Sequence, residues 1–327
     1  MRAGRDPLRL VQLALALGGT LVLLELARRF GFDAIRARLT QIEPLWIAAY
    51  VAVEAVIFAG YTVRWRLLLR ALDEDLSFGR LLGARLAGLA IGSLTPAAKL
   101  GGEPLRAYMV ARDGVRAGPA IASVVIDRGL ELVANVVFGV AYCALFALRD
   151  RGAAGQIVLV IGASGLALAA GVAVMIRRLR RGDSLVPARF VSVIERIGGS
   201  RAAVADAEDG MRILLFARPR LLKGALAASL VLNALILAEY AALFAVFGAH
   251  PSLPVLAGTL LGVGLAHALP VPASIGALEG AQVVAMRMAG GGSDLALVAA
   301  AVARVRDVVW TLPGLIVLAL RGVRAPG

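Results

Sequence analysis

Six long apolar runs recur along this chain: Leu8–Leu26, Leu45–Val63, Pro119–Leu148, Ile157–Ile176, Leu221–Phe247 and Leu295–Leu320. Each approaches or exceeds the roughly 20 residues a helix needs to cross a bilayer's hydrocarbon core. In that solvent every backbone amide and carbonyl must be satisfied within the protein, so runs of this length are read as helices. The rest of the sequence agrees. With 60% hydrophobic residues and a mean hydropathy of +0.82 over 327 residues, the chain carries more apolar surface than a soluble core of its size can hide. Two shorter apolar stretches, Leu81–Pro96 and Val255–Pro272, each end in a Pro/Gly-rich motif, which suits helices that enter the membrane and turn back. The expected fold is therefore an all-α polytopic membrane protein, with about six transmembrane helices plus two re-entrant helical hairpins.

Leu8–Leu26 follows Arg2, Arg5 and Arg9, as a signal peptide would, but Glu25, Arg28 and Arg29 occupy the place of a small-residue cleavage site, so a retained first helix is expected. The net charge of +13 lies between hydrophobic spans, where it sets orientation and meets anionic headgroups. No nucleic-acid partner is expected. The segment Arg177–Lys223 holds 11 Lys/Arg against 5 Asp/Glu, a net of +6, and marks a cytoplasmic loop. Within it Phe190, Val193, Ile194, Ile197, Met211, Leu214 and Leu215 recur at helical spacing, as in amphipathic helices lying on the membrane face. Counting spans outward places both termini and the segment Arg64–Arg85 on the cytoplasmic side; the four arginines of Arg28–Arg38 then fall outside, the one exception to the rule. Trp46, Trp65 and Trp310 fall near span ends and read as interfacial anchors. Cys143 has no second cysteine, and His250 and His267 are isolated, so neither a disulfide nor a metal site is expected, and no cofactor.

Shifting the chain by 176 residues lays Pro96-Ala97 on Pro272-Ala273, Glu103 on Glu279, Arg128 on Arg304 and Glu131 on Asp307. The matched spans then run in opposite directions, the pattern of inverted-repeat transporters with sites at the repeat interface. The expected organisation is a first membrane half, 1–176, with a re-entrant motif at 81–106; a basic loop, 177–223; and a second half, 224–327, with its motif at 255–280.

Chemistry concentrates at these motifs. Around the first break, Pro96, Gly101, Gly102 and Pro104 interrupt an apolar helix and present Lys99, Glu103 and Arg106. Broken backbone at membrane depth must line protein or water, and the Lys/Arg pair suits an anionic headgroup; the alternative is a turn at the interface whose charges face solvent. Asp127, Arg128 and Glu131 sit inside an apolar span, where each unpaired charge costs about 2.5 kcal/mol or more. They line a polar path or lock helices together as an ion-pair network. In the second half, Pro270, Pro272, Gly276 and Gly280 surround Glu279, and Arg304, Arg306 and Asp307 follow in the last span. Glu54 and Glu239 also fall within spans, each either a proton or lipid contact or a paired structural group. Neither a phosphate-binding loop nor a nucleophile elbow is present.

At these residues the chain resembles the flippase-like integral-membrane family related to the transmembrane region of lysylphosphatidylglycerol synthase. The resemblance rests on Pro96 through Gly102-Glu103-Pro104-Leu105-Arg106, on Asp127-Arg128-Gly129-Leu130-Glu131, and on Pro270 through Gly276-Ala277-Leu278-Glu279-Gly280. Ala273-Ser274 departs from it, since relatives often carry a glycine pair there. The resemblance implies movement or handling of polar lipids, such as aminoacylated phosphatidylglycerol, and some relatives are associated with hopanoid or polyprenyl-linked lipids. It does not imply synthase activity, so no enzyme is expected. The leading expectation is a bacterial inner-membrane lipid translocase, its headgroup held by Arg106, Arg128 and Arg304 while Glu103, Glu131, Glu279 and Asp307 balance or relay charge. The alternatives are an accessory that binds lipid through the basic loop for a lipid-synthesising enzyme, and an intramembrane transferase with Asp127 or Glu103 as base.

Overall fold

The computed structural model describes residues 44–94, 100–147, 151–187, 200–246, 248–268, 278, 280–282, 284 and 293–321. The first expected span, Leu8–Leu26, lies outside them. Among the described residues all regular structure is helical: α1 (Pro44–Arg70), α2 (Phe78–Leu94), a 3-10 turn (Leu100–Gly102), α3 (Glu103–Arg112), α4 (Ala117–Ala147), α5 (Arg151–Arg181), α6 (Arg201–Arg212) running into a π turn (Ile213–Ala217), α7 (Pro219–Val246), α8 (Leu253–Ala268) and α9 (Ser293–Arg321). Prolines stand at the starts of α1 and α7, where a missing N–H leaves nothing unsatisfied. Ser200 caps α6 by accepting from the Ala202 amide at 3.2 Å, as N-cap serines do. The chain leaves α5 through Gly182 at φ 78°, and the Asp183 amide donates back to the Arg178 carbonyl at 3.0 Å, closing the helix end.

Beside its apolar core, the bundle places its charges in reverse of a soluble protein. Arg64, Arg85, Arg106, Asp127, Glu239, Arg304 and Arg306 are buried, while Leu45, Val51, Val56, Leu166, Val231, Ile316 and Leu320 are exposed. Charges inside and aliphatic side chains outside suit a lipid solvent, since charged residues in soluble folds stay at the surface. Both α1 and α7 are apolar and long enough to cross a membrane; their 27 and 28 residues extend about 40 Å each. Among the other long helices, α4 and α9 interrupt their apolar runs with Asp127, Arg128 and Glu131, and with Arg304, Arg306 and Asp307.

Helices α1 and α7 pack antiparallel: Gly60 faces Leu232, and Arg64 donates to the Ser229 hydroxyl at 2.6 Å. Helices α2 and α3 fold back on one another as a hairpin, with Leu81 and Ala84 sharing a core with Val110 and Val115. Their 17 and 10 residues extend only about 25 and 15 Å, too short to span. A side chain at Gly102 would overlap the Gly88 carbonyl, so glycine is required for this approach. In the second half Gln282 returns to α8, donating to the Thr259 carbonyl at 2.9 Å. Under the 176-residue shift Gln282 corresponds to Arg106. Helix α9 lies along α2, and Gly314 touches the Leu86 carbonyl so closely that no β-carbon fits, the small-residue contact typical of membrane helices.

One end of the bundle gathers the start of α2, the end of α3, α6 and the end of α9. There Arg116 pairs with Glu74 at 2.5 Å, Arg321 with Asp113 at 3.2 Å, and Gly118 packs against Asp206. Arg66 and Arg70 clamp Asp75 at 2.9 and 3.2 Å. Hydrogen bonds from Arg70 and then Arg66 hold the Asp75 carboxyl well below the usual carboxylate range. At the opposite end Trp46 on α1 meets His250 between α7 and α8, ring centres 5.9 Å apart.

Several expectations change. The segment Arg64–Arg85 is not one surface loop: α1 continues to Arg70, and Arg64 and Arg85 at its ends are buried while Arg70 and Asp75 between them are exposed. The apolar face of α6 does not lie on a membrane surface, since Met211 and Leu214 pack with Leu68, Ile126, Leu130 and Leu179. Phe190, Val193, Ile194 and Ile197 lie outside the described residues. Trp65 and Trp310 are buried rather than interfacial.

Candidate functional site

Buried positions on α1 recur every three or four residues: Tyr50, Glu54, Ile57, Tyr61, Arg64, Trp65 and Leu68. That stripe faces the bundle. Its Arg64 meets three further helices at a single carboxylate, Asp127 of α4, which is fully buried. Arg64 donates to Asp127 Oδ1 from Nε at 2.9 Å and from Nη2 at 2.7 Å; Arg85 of α2 and Arg106 of α3 donate to Oδ2 at 3.0 and 2.7 Å. Glu131, one turn further along α4, pairs with Arg85 and with Arg128, the latter at 3.0 Å. Glu103 at the start of α3 accepts from Arg106 at 2.9 Å and lies 3.8 Å from Arg128.

Aromatic faces complete the shell. Tyr61 stacks under Arg64 and Arg85 at 4.9 and 4.4 Å, and Trp65 under Arg106 at 4.3 Å. Such contacts favour guanidinium in a desolvated site. The indole of Trp65 donates in turn to Ser123 at 3.0 Å. Arg106 reaches the cluster because Gly88 leaves space for its stem.

Among the described residues the charge count is unequal. Arg64, Arg85, Arg106 and Arg128 face Glu103, Asp127 and Glu131, four positive groups against three negative, which leaves one positive charge when all are ionised. The Nε atoms of Arg106 and Arg128 are buried with no hydrogen-bond acceptor. Among the described residues this leaves surplus positive charge and guanidinium N–H groups without acceptors, features that an anion would satisfy, since arginine's fork matches phosphate and carboxylate oxygens. Glu103 and Arg128, with side chains 20% and 22% exposed, form its rim.

A second buried group lies on the same helices. Arg306 of α9 pairs with Glu239 of α7 through both guanidinium arms, one contact at 3.1 Å, and stacks over Trp310 at 4.2 Å. Glu54 of α1 sits beside them. Both of its carboxylate oxygens are buried without a hydrogen bond.

Of the residues singled out in the sequence, Glu103, Arg106, Asp127, Arg128 and Glu131 meet in one cluster. Gly101, Gly102 and Pro104 form the turn that delivers Glu103 and Arg106. Arg306 belongs to the other group, while Arg304 is buried and Asp307 half-buried on the same helix. Gly280 is exposed on the returning segment. Lys99, Glu279, Pro96, Pro270, Pro272 and Gly276 lie outside the described residues. Sequence reasoning missed Arg64 and Arg85. Two signals mark them: Arg64 continues the buried 3–4 spacing of α1, and Arg85 interrupts an apolar helix.

The family described as "Lysylphosphatidylglycerol synthase TM region" matches residues 9–314. Two proteins of Methanothermobacter thermautotrophicus, each called a UPF0104 membrane protein, are similar along most of the chain. One is 27% identical over 304 residues, covering 88% of both chains; the other is 28% identical over 305 residues, covering 88% of this chain and 86% of the relative. A UPF0104 membrane protein of Methanocaldococcus jannaschii is 25% identical over 119 residues, 36% of this chain and 35% of its own length. Reversed polarity, helices of spanning length and a match along nearly the whole sequence agree: this chain is a membrane protein of the lysylphosphatidylglycerol synthase TM region family.

Proposed function

We propose that the protein is a lipid translocase of the bacterial inner membrane and that its buried arginine cluster receives the anionic part of a polar lipid headgroup. The observation that supports this reading is the unbalanced cluster: among the described residues, four guanidiniums against three carboxylates, with two buried Nε–H groups lacking acceptors. A phosphate supplies the missing charge and acceptors. Arg64 lies six residues before the end of α1 and Arg85 seven after the start of α2, placing the cluster about 10 Å in from the basic end of the bundle. This depth suits a headgroup drawn out of the interface while its acyl chains remain in lipid.

The antiparallel α1–α7 pair, the α2–α3 hairpin and the contact of Gln282 with α8 support an inverted repeat that opens alternately to either side. In this reading 1–176 and 224–327 are the two halves, the loop between them and both termini face the cytoplasm, and the basic end attracts anionic headgroups. With the charges paired to one another, the protein is closed. Lipid enters at the rim, where its phosphate displaces Glu103 from Arg128 and Arg106. A transferase reading is less favoured, because Asp127, its candidate base, already accepts from three guanidiniums. A lipid-synthesising enzyme remains a candidate partner as the source of the substrate.

The test is movement of fluorescent phosphatidylglycerol between leaflets of proteoliposomes containing the wild type, Arg106→Gln or Arg128→Gln. Transport by the wild type that falls at least about tenfold in the variants, a loss of about 1.4 kcal/mol of transition-state binding, supports the reading. Absence of transport of any polar lipid, with or without an ion gradient, overturns it in favour of a lipid-binding accessory.

A further inference from the structure

The headgroup cluster leaves a second set of buried charges unused. Glu54, Glu239 and Arg306 come from α1, α7 and α9, and two carboxylates there face one guanidinium. Glu239 takes both arms of Arg306. Glu54, 7% exposed, lies beside Glu239 and the Trp310 indole but makes no well-formed hydrogen bond to either, and the hydroxyl of Tyr50 one turn away has no partner among the described residues. Helix α7 brings Glu239 and Tyr240, α9 brings Arg306 and, beside Tyr240, Asp307, α1 itself brings Tyr50, and α2 brings apolar Leu89. Tyr142 of α4 lies in the same core as Tyr50. Among the described residues Arg306 is the positive charge next to Glu54, and none of these neighbours adds a second.

We infer that Glu54 is a proton-binding site, and that its loading is coupled to the arginine cluster through the α1–α7 pair. A proton on Glu54 neutralises the surplus carboxylate and supplies a donor to Glu239. Coupling follows from register. Glu54 and Arg64 are ten residues apart on α1, and Glu239 and Ser229 ten apart on α7, so both contacts join the same antiparallel helices about 15 Å apart. Ile57, Tyr61, Leu232 and Trp310 form an apolar layer between them. A slide or tilt of α1 against α7 that frees Arg64 from Ser229 also moves Glu54 relative to Glu239. Glu54 lies on the side of this layer toward the opposite end of the bundle, where Trp46 meets His250, and a proton entering from that end would pass Tyr50. Headgroup and proton would thus approach from opposite ends of one helix pair, an arrangement that lets a proton gradient drive lipid movement.

The coupling rests on the translocase reading, whereas the proton site does not, so two readouts separate them. Infrared difference spectroscopy of the full protein in nanodiscs, stepped between acidic and alkaline buffer, reads the protonated-carboxyl band. The expected result is a band that changes with pH in the wild type and disappears in Glu54→Gln, which keeps the shape and neutral charge of the protonated acid. A band unchanged by that substitution, or no band in the wild type, overturns the site. Lipid movement in proteoliposomes with an imposed pH gradient reads the coupling. Wild-type transport is expected to change severalfold with the gradient and Glu54→Gln transport to ignore it; equal gradient response in both overturns the coupling. If the wild type moves no lipid at all, the translocase reading and the coupling fail together, and the infrared result still decides the proton site.

Discussion

Replacing Asp127 with Asn removes the charge that organises the arginine cluster while keeping the side chain's size. Four donor contacts converge on this carboxylate, from Arg64 Nε and Nη2 at 2.9 and 2.7 Å, Arg85 at 3.0 Å and Arg106 at 2.7 Å. Charge-assisted hydrogen bonds contribute about 1.5–3 kcal/mol each, but these share one acceptor and do not add. An amide accepts at one oxygen only and turns its NH2 toward a guanidinium, while the surplus charge rises from one to two. Removing one partner of a buried ion pair costs about 3–5 kcal/mol, and that range is the expected loss. Unfolding by SDS titration in mixed micelles measures it, with Asp209→Asn as the comparison, because the Asp209–Arg212 pair is exposed and its loss costs less than about 1 kcal/mol. A double-mutant cycle with Arg64→Gln should return a coupling of about 0.5–3 kcal/mol. If Asp127→Asn unfolds with the Asp209→Asn control, the cluster is not the buried network described here.

Ser229→Ala removes the hydroxyl that accepts from Arg64 across the α1–α7 contact and should cost about 1 kcal/mol in the same titration; no loss would mean that this contact is not made. Gly314→Leu drives a side chain into the Leu86 carbonyl and should cost about 1–3 kcal/mol, seen as a lower melting temperature in detergent, whereas unchanged melting contradicts the close α2–α9 packing. Asp75 should remain ionised at about pH 3, where free aspartate is mostly protonated, as read by carboxyl-carbon NMR of the labelled protein. Its folded value is depressed, so the stabilisation from its arginine clamp is present above the ordinary aspartate range and disappears only as pH falls through the lower folded value. Arg66→Gln with Arg70→Gln should restore ordinary titration, and an ordinary value in the wild type contradicts the clamp.

How much of this was legible in the sequence depended on whether a signal was local. Helix type and approximate position followed from apolar run length, and the i,i+3 spacing of Glu103 with Arg106 and of Arg128 with Glu131 is a local signal for the pairs they form, since it fixes neighbours within a helix. Arg64 was misplaced because an arginine after an apolar run looks like a span boundary; only packing against α4 and α7 reveals that the helix continues and the charge is buried. Arg85 was hidden for the same reason. Asp127's three partners come from three other helices, and no spacing rule predicts such a convergence. Trp65 and Trp310 near span ends match the statistics of an interfacial belt, but here each supports a buried guanidinium. The apolar face of α6 was correctly periodic, while its partner, α4 rather than lipid, depended on tertiary contact alone.

The central claim is that a lipid headgroup occupies the arginine cluster, and photocrosslinking tests it most directly. A phosphatidylglycerol analogue with a photoreactive group on its headgroup is irradiated with the protein in nanodiscs, and the labelled peptides are mapped by mass spectrometry. Labelling should concentrate on the start of α3, Glu103–Arg112, and on the Asp127–Glu131 stretch of α4, and should fall sharply in Arg106→Gln/Arg128→Gln protein that still folds. Labelling confined to the exposed apolar faces of α1 and α7, or unchanged in the double variant, would contradict the account.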